Sequence, residues 1–340
     1  MSKILIFGVT GQDGSYLTEI LLDQGHEVHG MVRKTATGNT INIDHLIDTE
    51  MPNSGKFKLH RGDLLDHASI FKCINEVRPD YIYNEADQDH VSWSYDIPSY
   101  SISTTTTAVV NIMEAIRVID PTIKFFQPVS SNMFGVPESE YQNEDTAHKP
   151  VSPYGIAKSA TFNLCKFYRD SYGLRISTGI FYNHESPRRP DEYLSRKVTK
   201  AAARIKLGLQ DKLVLGDLSS YVDWGYAKEF MEIAKLINEA DLAEDFVVGT
   251  GELTKVKDFV IKAFEKVGLD WKDYVKTSDA FKRPVPTGIL RADNSKLERL
   301  VNIKPKVLID QLIELMVAHD LEAEGKLVNH SKSEYSVETR

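Results

Sequence analysis

Tyr154 and Lys158 stand four residues apart in SPYGIAKSA, at the start of a long helical pattern. That spacing puts the phenol and the ammonium on one helix face. An ammonium beside a phenol stabilises the phenolate, so Tyr154 can exchange a proton near neutral pH. Ser130 closes a strand-like run upstream, KFFQPVS, and supplies a hydroxyl that can orient a reacting oxygen. Gly8, Gly11 and Gly14 form GxxGxxG between a short apolar run and a helical one. Glycines there let the backbone turn tightly and approach a pyrophosphate, with the helix N-terminus facing the anion. The chemistry implied is proton transfer at a hydroxyl beside a bound dinucleotide. A plain glycine turn and a chance YxxxK pair are the bland alternatives for each motif alone. Their occurrence together, in this order, argues against chance.

The dinucleotide set extends along the chain. Gln12 and Asp13 lie inside the glycine loop. The second strand ends at Arg33-Lys34, where an acidic residue would favour NAD through the ribose hydroxyl. Two cations there suit a ribose 2′-phosphate, so NADP is the expected cofactor, with NAD as the alternative. An exposed basic loop is the competing reading. Asp63 follows the third strand, placed to accept from the adenine amino group, with Leu64 beside it; a helix N-cap is an equal reading of Asp63.

The elements that must position these groups alternate. Strands are expected at Lys3–Phe7, His26–Val32, Lys56–His60, Tyr81–Tyr83, Lys124–Val129 and Arg175–Phe181. Helices are expected at Tyr16–Gln24, Ala68–Val77, Thr107–Ile119 and Pro153–Tyr172. This alternation implies βαβ units, a doubly wound parallel sheet and an α/β fold of Rossmann type. After Tyr182 the pattern breaks up, and a smaller mixed α/β substrate domain is expected. The division expected is 1–183 plus about 223–250 for the dinucleotide domain, and 184–222 plus about 251–320 for the substrate domain. Ile309, Leu312, Ile313 and Met316 give a last amphipathic helix, and from about Leu321 a polar tail, 321–340, is expected to fray.

The chain has 340 residues and a formal net charge of −8, with 41% hydrophobic residues. That balance opposes general nucleic-acid binding, which needs a basic surface, and it excludes global disorder. No apolar stretch of about 20 residues exists, so no membrane partner is expected. The opening run is too short for a signal peptide. Cys73 and Cys165 sit in amphipathic runs and read as buried free thiols; no disulfide framework or CxxC metal site can be built from them. No metal is expected, and the compartment expected is the reducing cytoplasm.

Serine, tyrosine and lysine behind a glycine loop resemble the active site of the short-chain dehydrogenase/reductases. The length resembles their extended class, which usually acts on nucleotide sugars. From about Lys3 to about Met316 the chain looks most like the GDP-mannose 4,6-dehydratase family. The strings GVTGQDGSYLTEILL, VHGMVRK, NIDHL, FYNHESPRR, ARIKLGLQDKLVLG, DWGYAK and GLDWKDYV carry that resemblance. It implies a GDP-sugar partner held by Asn183, Glu185, Arg189, Arg196, Lys197 and Arg283, with Asp89 facing the sugar, and a homodimer or homotetramer. Arginines can grip phosphate with paired donors; surface salt bridges are the alternative, less favoured for Arg188 and Arg189 and evenly weighed for Arg196 and Lys197.

The departures from that family cluster where the chemistry is expected. Its Ser/Thr-x-Glu-x-Tyr-Gly string reads Ser130-Ser131-Asn132-Met133-Phe134-Gly135 here. By the resemblance, the missing glutamate moves protons for elimination between sugar C5 and C6, and an amide is no general acid or base near neutral pH. The family's Asn-Leu-Ala-Ala-Gln-Ser-His reads Asn84-Glu85-Ala86-Asp87-Gln88-Asp89-His90. Val222 and Pro286 replace an arginine and a glutamate. The expected function is therefore oxidation of a GDP-sugar at C4, with Tyr154, Lys158, Ser130 and Asn132 at the centre. A 4,6-dehydratase that recruits a different carboxylate, Asp89 first and Asp87 as the alternative, is the runner-up, and a non-catalytic GDP-sugar or NADP-binding protein the third reading.

Overall fold

The computed structural model describes residues 1–35, 39–47, 54–278 and 288–337. Six strands in the first half are β1 (Lys3–Phe7), β2 (Glu27–Val32), β3 (Phe57–Arg61), β4 (Tyr81–Asn84), β5 (Lys124–Ser130) and β6 (Arg175–Phe181). They are followed by β7 (Asn183–Glu185), β8 (Leu213–Leu215), β9 (Tyr221–Tyr226), β10 (Asp245–Val248), β11 (Leu253–Lys255) and β12 (Val275–Thr277). Seven form one sheet in the order β10-β6-β5-β4-β1-β2-β3, with every neighbour parallel. The order reverses between β1 and β4, so the carboxyl ends of those strands open a crevice of the kind that holds ligands in such sheets.

Side chains alternate across the sheet, as strand geometry requires. Ile4 and Ile6 pack on one face with Leu17, Leu21, Phe230 and Ile237. Leu5 and Phe7 pack on the other with Ile70, Ile74, Ile112 and Ile116. A sheet covered by helices on both faces is what near-continuous apolar strands such as KILIF dictate. Cys73 and Cys165 are buried free thiols, as expected, and burial pushes both up to about 12.

A separate apolar cluster joins Val198, Leu213, Trp224, Phe259, Phe264, Leu312 and Met316. Around it stand a three-stranded sheet, β11-β9-β7, and a two-stranded one, β12-β8.

Two local expectations need correction. The first helix runs Gln12–Asp23, starting inside the glycine loop, where apolar periodicity gives no signal. The last helix does not end near Leu321 but continues from Ile309 to Val337. Its Asp320 and Glu324 are buried and face the helix Leu194–Lys206. Asp320 takes Arg196 and, at 2.8 Å, the Thr199 hydroxyl. Glu324 takes Arg204 at 2.6 Å and Lys200 at 3.6 Å. Carboxylates four apart thus meet cations at 196, 200 and 204, one turn apart. At Asp320 and Glu324 the polar composition marks a charged helix interface.

Candidate active site

The helix Pro153–Tyr172 starts where its sequence says it should. Ser152 Oγ accepts from Gly155 N at 3.0 Å, Pro153 occupies the first turn, and Gly173 closes the helix with φ +67°. Tyr154 and Lys158 are both buried on its inner face. The Lys158 ammonium lies 5.7 Å from the Tyr154 ring centroid. Ser130, at the end of β5, acts on the Tyr154 phenol and draws it down. Asn132 donates from Nδ2 to Ser130 Oγ at 3.2 Å. The structure therefore brings together all four of the expected central residues.

Their electrostatics are set by the loop after β4. Asp87 Oδ2 lies 2.6 Å from Lys158 Nζ, which also donates to the Pro128 carbonyl at 3.1 Å. Burial alone would lower the lysine, but Asp87, together with Tyr154 and Asp89, outweighs it and raises Lys158. For Tyr154 burial pushes the phenol up, Lys158 pulls it down, and Asp87 and Asp89 push it up again, leaving it above the ordinary phenol value. Glu85, at the start of this loop, has a fully covered oxygen with no hydrogen-bond partner. Burial, aided by Asp13, holds its carboxyl well above the usual range.

The glycine loop is shaped by close approach. Gly8 has φ +80°, and a Cβ there would lie 2.6 Å from the backbone of Glu85 and Ala86. A Cβ on Gly14 would lie 2.3 Å from the Gly8 carbonyl. No side chain caps the helix that follows, so its first N–H groups face the loop unclaimed by a cap. A tight, uncapped cradle of this kind fits a dinucleotide pyrophosphate. Gln12 and Asp13 point the other way, into the loop after β7. Gln12 Oε1 accepts from Ser186 Oγ at 2.7 Å, and Asp13 pairs with His184 Nε2 at 2.9 Å. Arg188 bonds Ser15 Oγ at 2.9 Å and stacks on Tyr16. The segment 184–188, the end of β7 and the residues after it, is thereby fastened to the glycine loop, a link sequence spacing did not announce.

Arg33 and Lys34 are exposed at the end of β2, and Arg33 bonds the Tyr100 hydroxyl at 2.9 Å. Asp63 accepts from Leu65 N at 2.9 Å, whereas the N-cap of the next helix is Asp66, accepting from Ala68 N at 3.1 Å. The N-cap alternative for Asp63 is thus corrected by three residues. Leu64 packs against the core cluster that holds Leu5 and Phe7.

The expected sugar-nucleotide residues separate into groups. Arg189 lies 3.2 Å from Glu185 and 3.4 Å from Asp89, with its guanidinium over the Tyr193 ring at 3.6 Å. Glu185 also accepts from Ser195 Oγ at 2.6 Å. Asp89 is 53% exposed and close enough to act on the Tyr154 phenol. Asn183 is exposed on β7, in register with Trp224. Lys197 is half-buried on the helix Leu194–Lys206. Arg196, by contrast, is engaged by Asp320, so the structure ties it to the last helix rather than to the Tyr154 cluster. Arg283 and Pro286 lie outside the described residues. His184 and Ser186 were absent from the expected site, and Asp87 entered it only as an alternative to Asp89 for the missing glutamate; the carboxylates at alternate positions 85, 87 and 89 were the signal pointing to it. Among the described residues no cluster of ligating side chains is placed to hold a metal, and no helix is long and apolar enough to cross a membrane.

Comparison with known proteins places this geometry. A family model described as GDP-mannose 4,6 dehydratase matches residues 5–316. GDP-mannose 4,6 dehydratase 1 of Arabidopsis thaliana is 42% identical over 323 residues, covering 94% of this chain and 89% of the relative. The solved UDP-glucose 4-epimerase of Thermus thermophilus, complexed with NAD, is 26% identical with TM-score 0.79, covering 93% of this chain and 98% of that one. The dTDP-glucose 4,6-dehydratase DesIV of Streptomyces venezuelae shares the fold, with TM-score 0.83 at 21% identity, covering 95% of this chain and 98% of that one.

Proposed function

The chain belongs to the GDP-mannose 4,6-dehydratase family of NAD(P)-dependent nucleotide-sugar enzymes, and on that premise we propose that it oxidises a GDP-mannose-like hexose or heptose at C4 and stops short of elimination. The observation that carries this reading is Asn132. It stands in the shell of Ser130 and Tyr154, and its amide is engaged with the Ser130 hydroxyl at 3.2 Å. An amide neither takes the C5 proton nor supplies one to the C6 hydroxyl.

Gly8, Gly11, Gln12, Asp13, Gly14, Asp63 and Leu64 would hold the nicotinamide dinucleotide, with Arg33 and Lys34 favouring NADP over NAD. When bound, that cofactor supplies the hydride acceptor. Tyr154 removes the proton from the C4 hydroxyl, and Ser130 orients that hydroxyl by a hydrogen bond. Lys158 stabilises the phenolate; its ammonium is held by a hydrogen bond to the Pro128 carbonyl and the ion pair with Asp87. Arg189, Asn183, Glu185, Lys197, Asp89 and Arg283 would receive the GDP-sugar, with Arg196 fixing the helix that carries Lys197. Residues 1–183 with about 223–250 would form the dinucleotide domain, and 184–222 with about 251–320 the sugar-nucleotide domain. A homodimer or homotetramer in the cytoplasm completes the proposal.

Mass analysis of products from GDP-mannose and a GDP-heptose tests it. Loss of two hydrogens or an epimer without mass change supports C4 chemistry; loss of water supports the second reading, a 4,6-dehydratase with Asp89 as its acid. Asp89 favours that reading by its proximity to the Tyr154 phenol.

A further inference from the structure

Among the described residues Asp87 is the acidic group in direct contact with the Tyr154–Lys158 pair, and its surroundings hold it there. Oδ1 accepts the Thr105 hydroxyl and, at 2.7 Å, the N–H of the neighbouring Gln88. Oδ2 is left for Lys158 Nζ at 2.6 Å. The Asp87 side chain is 12% exposed and the Lys158 side chain 6%. A carboxylate fixed from one side and in contact with an ammonium on the other cancels much of that ammonium's field in a site where water screens little.

The remaining groups around the phenol do not do this. Asp89 faces Tyr154 but is largely exposed and paired with Arg189. Tyr193 lies beyond Asp89 and carries no charge, since burial pushes its phenol far up. Glu85 is buried, and burial with Asp13 holds its carboxyl well above the usual range, which disfavours its charged form. Ser130 only donates or accepts a hydrogen bond, and the Cys165 thiol on the same helix stays neutral.

We propose that Asp87 is a positioning residue that locks Lys158 in place and offsets part of its charge, so that Tyr154, once it has taken the C4 proton, readily returns it to a ketone oxygen. This rests on reading Tyr154 as the proton-transfer group. It adds that a 4-keto sugar formed in this site is set up to be reduced again before release. The reduction is balanced: the ketone carbon takes hydride from the reduced nicotinamide, and its oxygen takes the Tyr154 proton.

The test is an ultraviolet phenolate titration of the whole protein, each form read against its own Tyr154→Phe counterpart so that the difference reports one tyrosine. Asp87→Asn keeps the shape and removes the charge. Its phenolate midpoint is expected to move to lower pH by about one unit or more, the size of effect a charge within about 4–6 Å produces. Thr105→Val, which removes a hydrogen bond to Asp87 and leaves the carboxylate, is expected to move it the same way by less. An unmoved or raised midpoint in Asp87→Asn would overturn the proposal; if that variant does not fold, an unmoved midpoint in Thr105→Val does so. Hydride transfer from GDP-mannose, followed by nicotinamide absorbance in the same proteins, separates the two readings. Absent transfer in a wild type whose midpoint responds to Asp87 sinks the enzymatic reading and leaves the Asp87 role standing.

Discussion

The Asn132 side-chain amide donates to the Ser130 hydroxyl at 3.2 Å, and Ser130 in turn draws the Tyr154 phenol down. The position where the family resemblance implies a carboxylate here supports the serine instead. In the proposed reaction one hydroxyl, one phenol and one ammonium make up the proton path, and each can be removed separately.

Tyr154→Phe is expected to lower turnover by about 10²–10⁴-fold, the usual loss when a general acid–base group is deleted. Cofactor binding, which rests on the loop at Gly8, Gly11 and Gly14, should persist. Steady-state rates beside a cofactor titration check both halves, and turnover within a few-fold of wild type would remove Tyr154 from the chemistry.

Arg33→Ala is expected to weaken NADP more than NAD. Arg33 is exposed and held by Tyr100 at 2.9 Å, so its guanidinium is fixed near the end of β2 without a carboxylate to neutralise it among its described contacts. Titration of both cofactors into stripped protein decides this. Tighter binding of NAD by the wild type would reduce Arg33-Lys34 to a surface loop.

Asp320→Ala is expected to cost about 3–5 kcal/mol of stability, because it leaves Arg196 buried without its carboxylate. Asp310→Ala breaks an exposed pair with Lys262 and should cost no more than about 1 kcal/mol. Denaturant unfolding of the two variants side by side measures the difference. Equal losses would mean the Arg196–Asp320 pair is no better than a surface one.

The His184–Asp13 couple makes a pH-dependent contribution whose sign follows from its shifts. Burial would lower the His184 ring, but Asp13 outweighs it and holds the ring above 6.5. Burial would raise Asp13, but His184 outweighs it and holds the carboxyl below 3.8. The histidine's contribution is complete below 6.5 and fades as pH rises through its raised folded value. The aspartate's is complete above 3.8 and fades as pH falls through its lowered one. His184→Gln should therefore destabilise more at about pH 5.5 than at about pH 9. Equal destabilisation at both, in thermal unfolding, would show a neutral ring in the folded protein.

Local signals were the legible part of this fold. Pro153–Tyr172 and Arg175–Phe181 match the sequence reading end to end, because Ser152-Pro153 and Gly173 punctuate the chain there. Ser130, Tyr154 and Lys158 meet as expected because a parallel sheet brings strand ends and helix starts to one edge. What local spacing does not carry is the partner across the fold. Asp87 meets Lys158, and Arg196 meets Asp320, over separations no periodicity encodes. For the same reason the helix beyond Leu321 read as a loose polar tail: its buried face is charged, not apolar, and the cations that answer it lie on another helix.

The measurement that bears most directly on the central claim is product analysis in deuterated water, with wild type and Asn132→Glu given GDP-mannose and a GDP-heptose. Once C4 is a ketone the C5 proton is acidic, and elimination needs one group to take it and one to protonate the C6 oxygen. With an amide at 132, wild type is expected to give a 4-keto or C4-epimerised sugar that has lost no water. Loss of water with deuterium at C5 in wild type would contradict the account and make the enzyme a dehydratase that has moved its acid to another residue, Asp89 first among them.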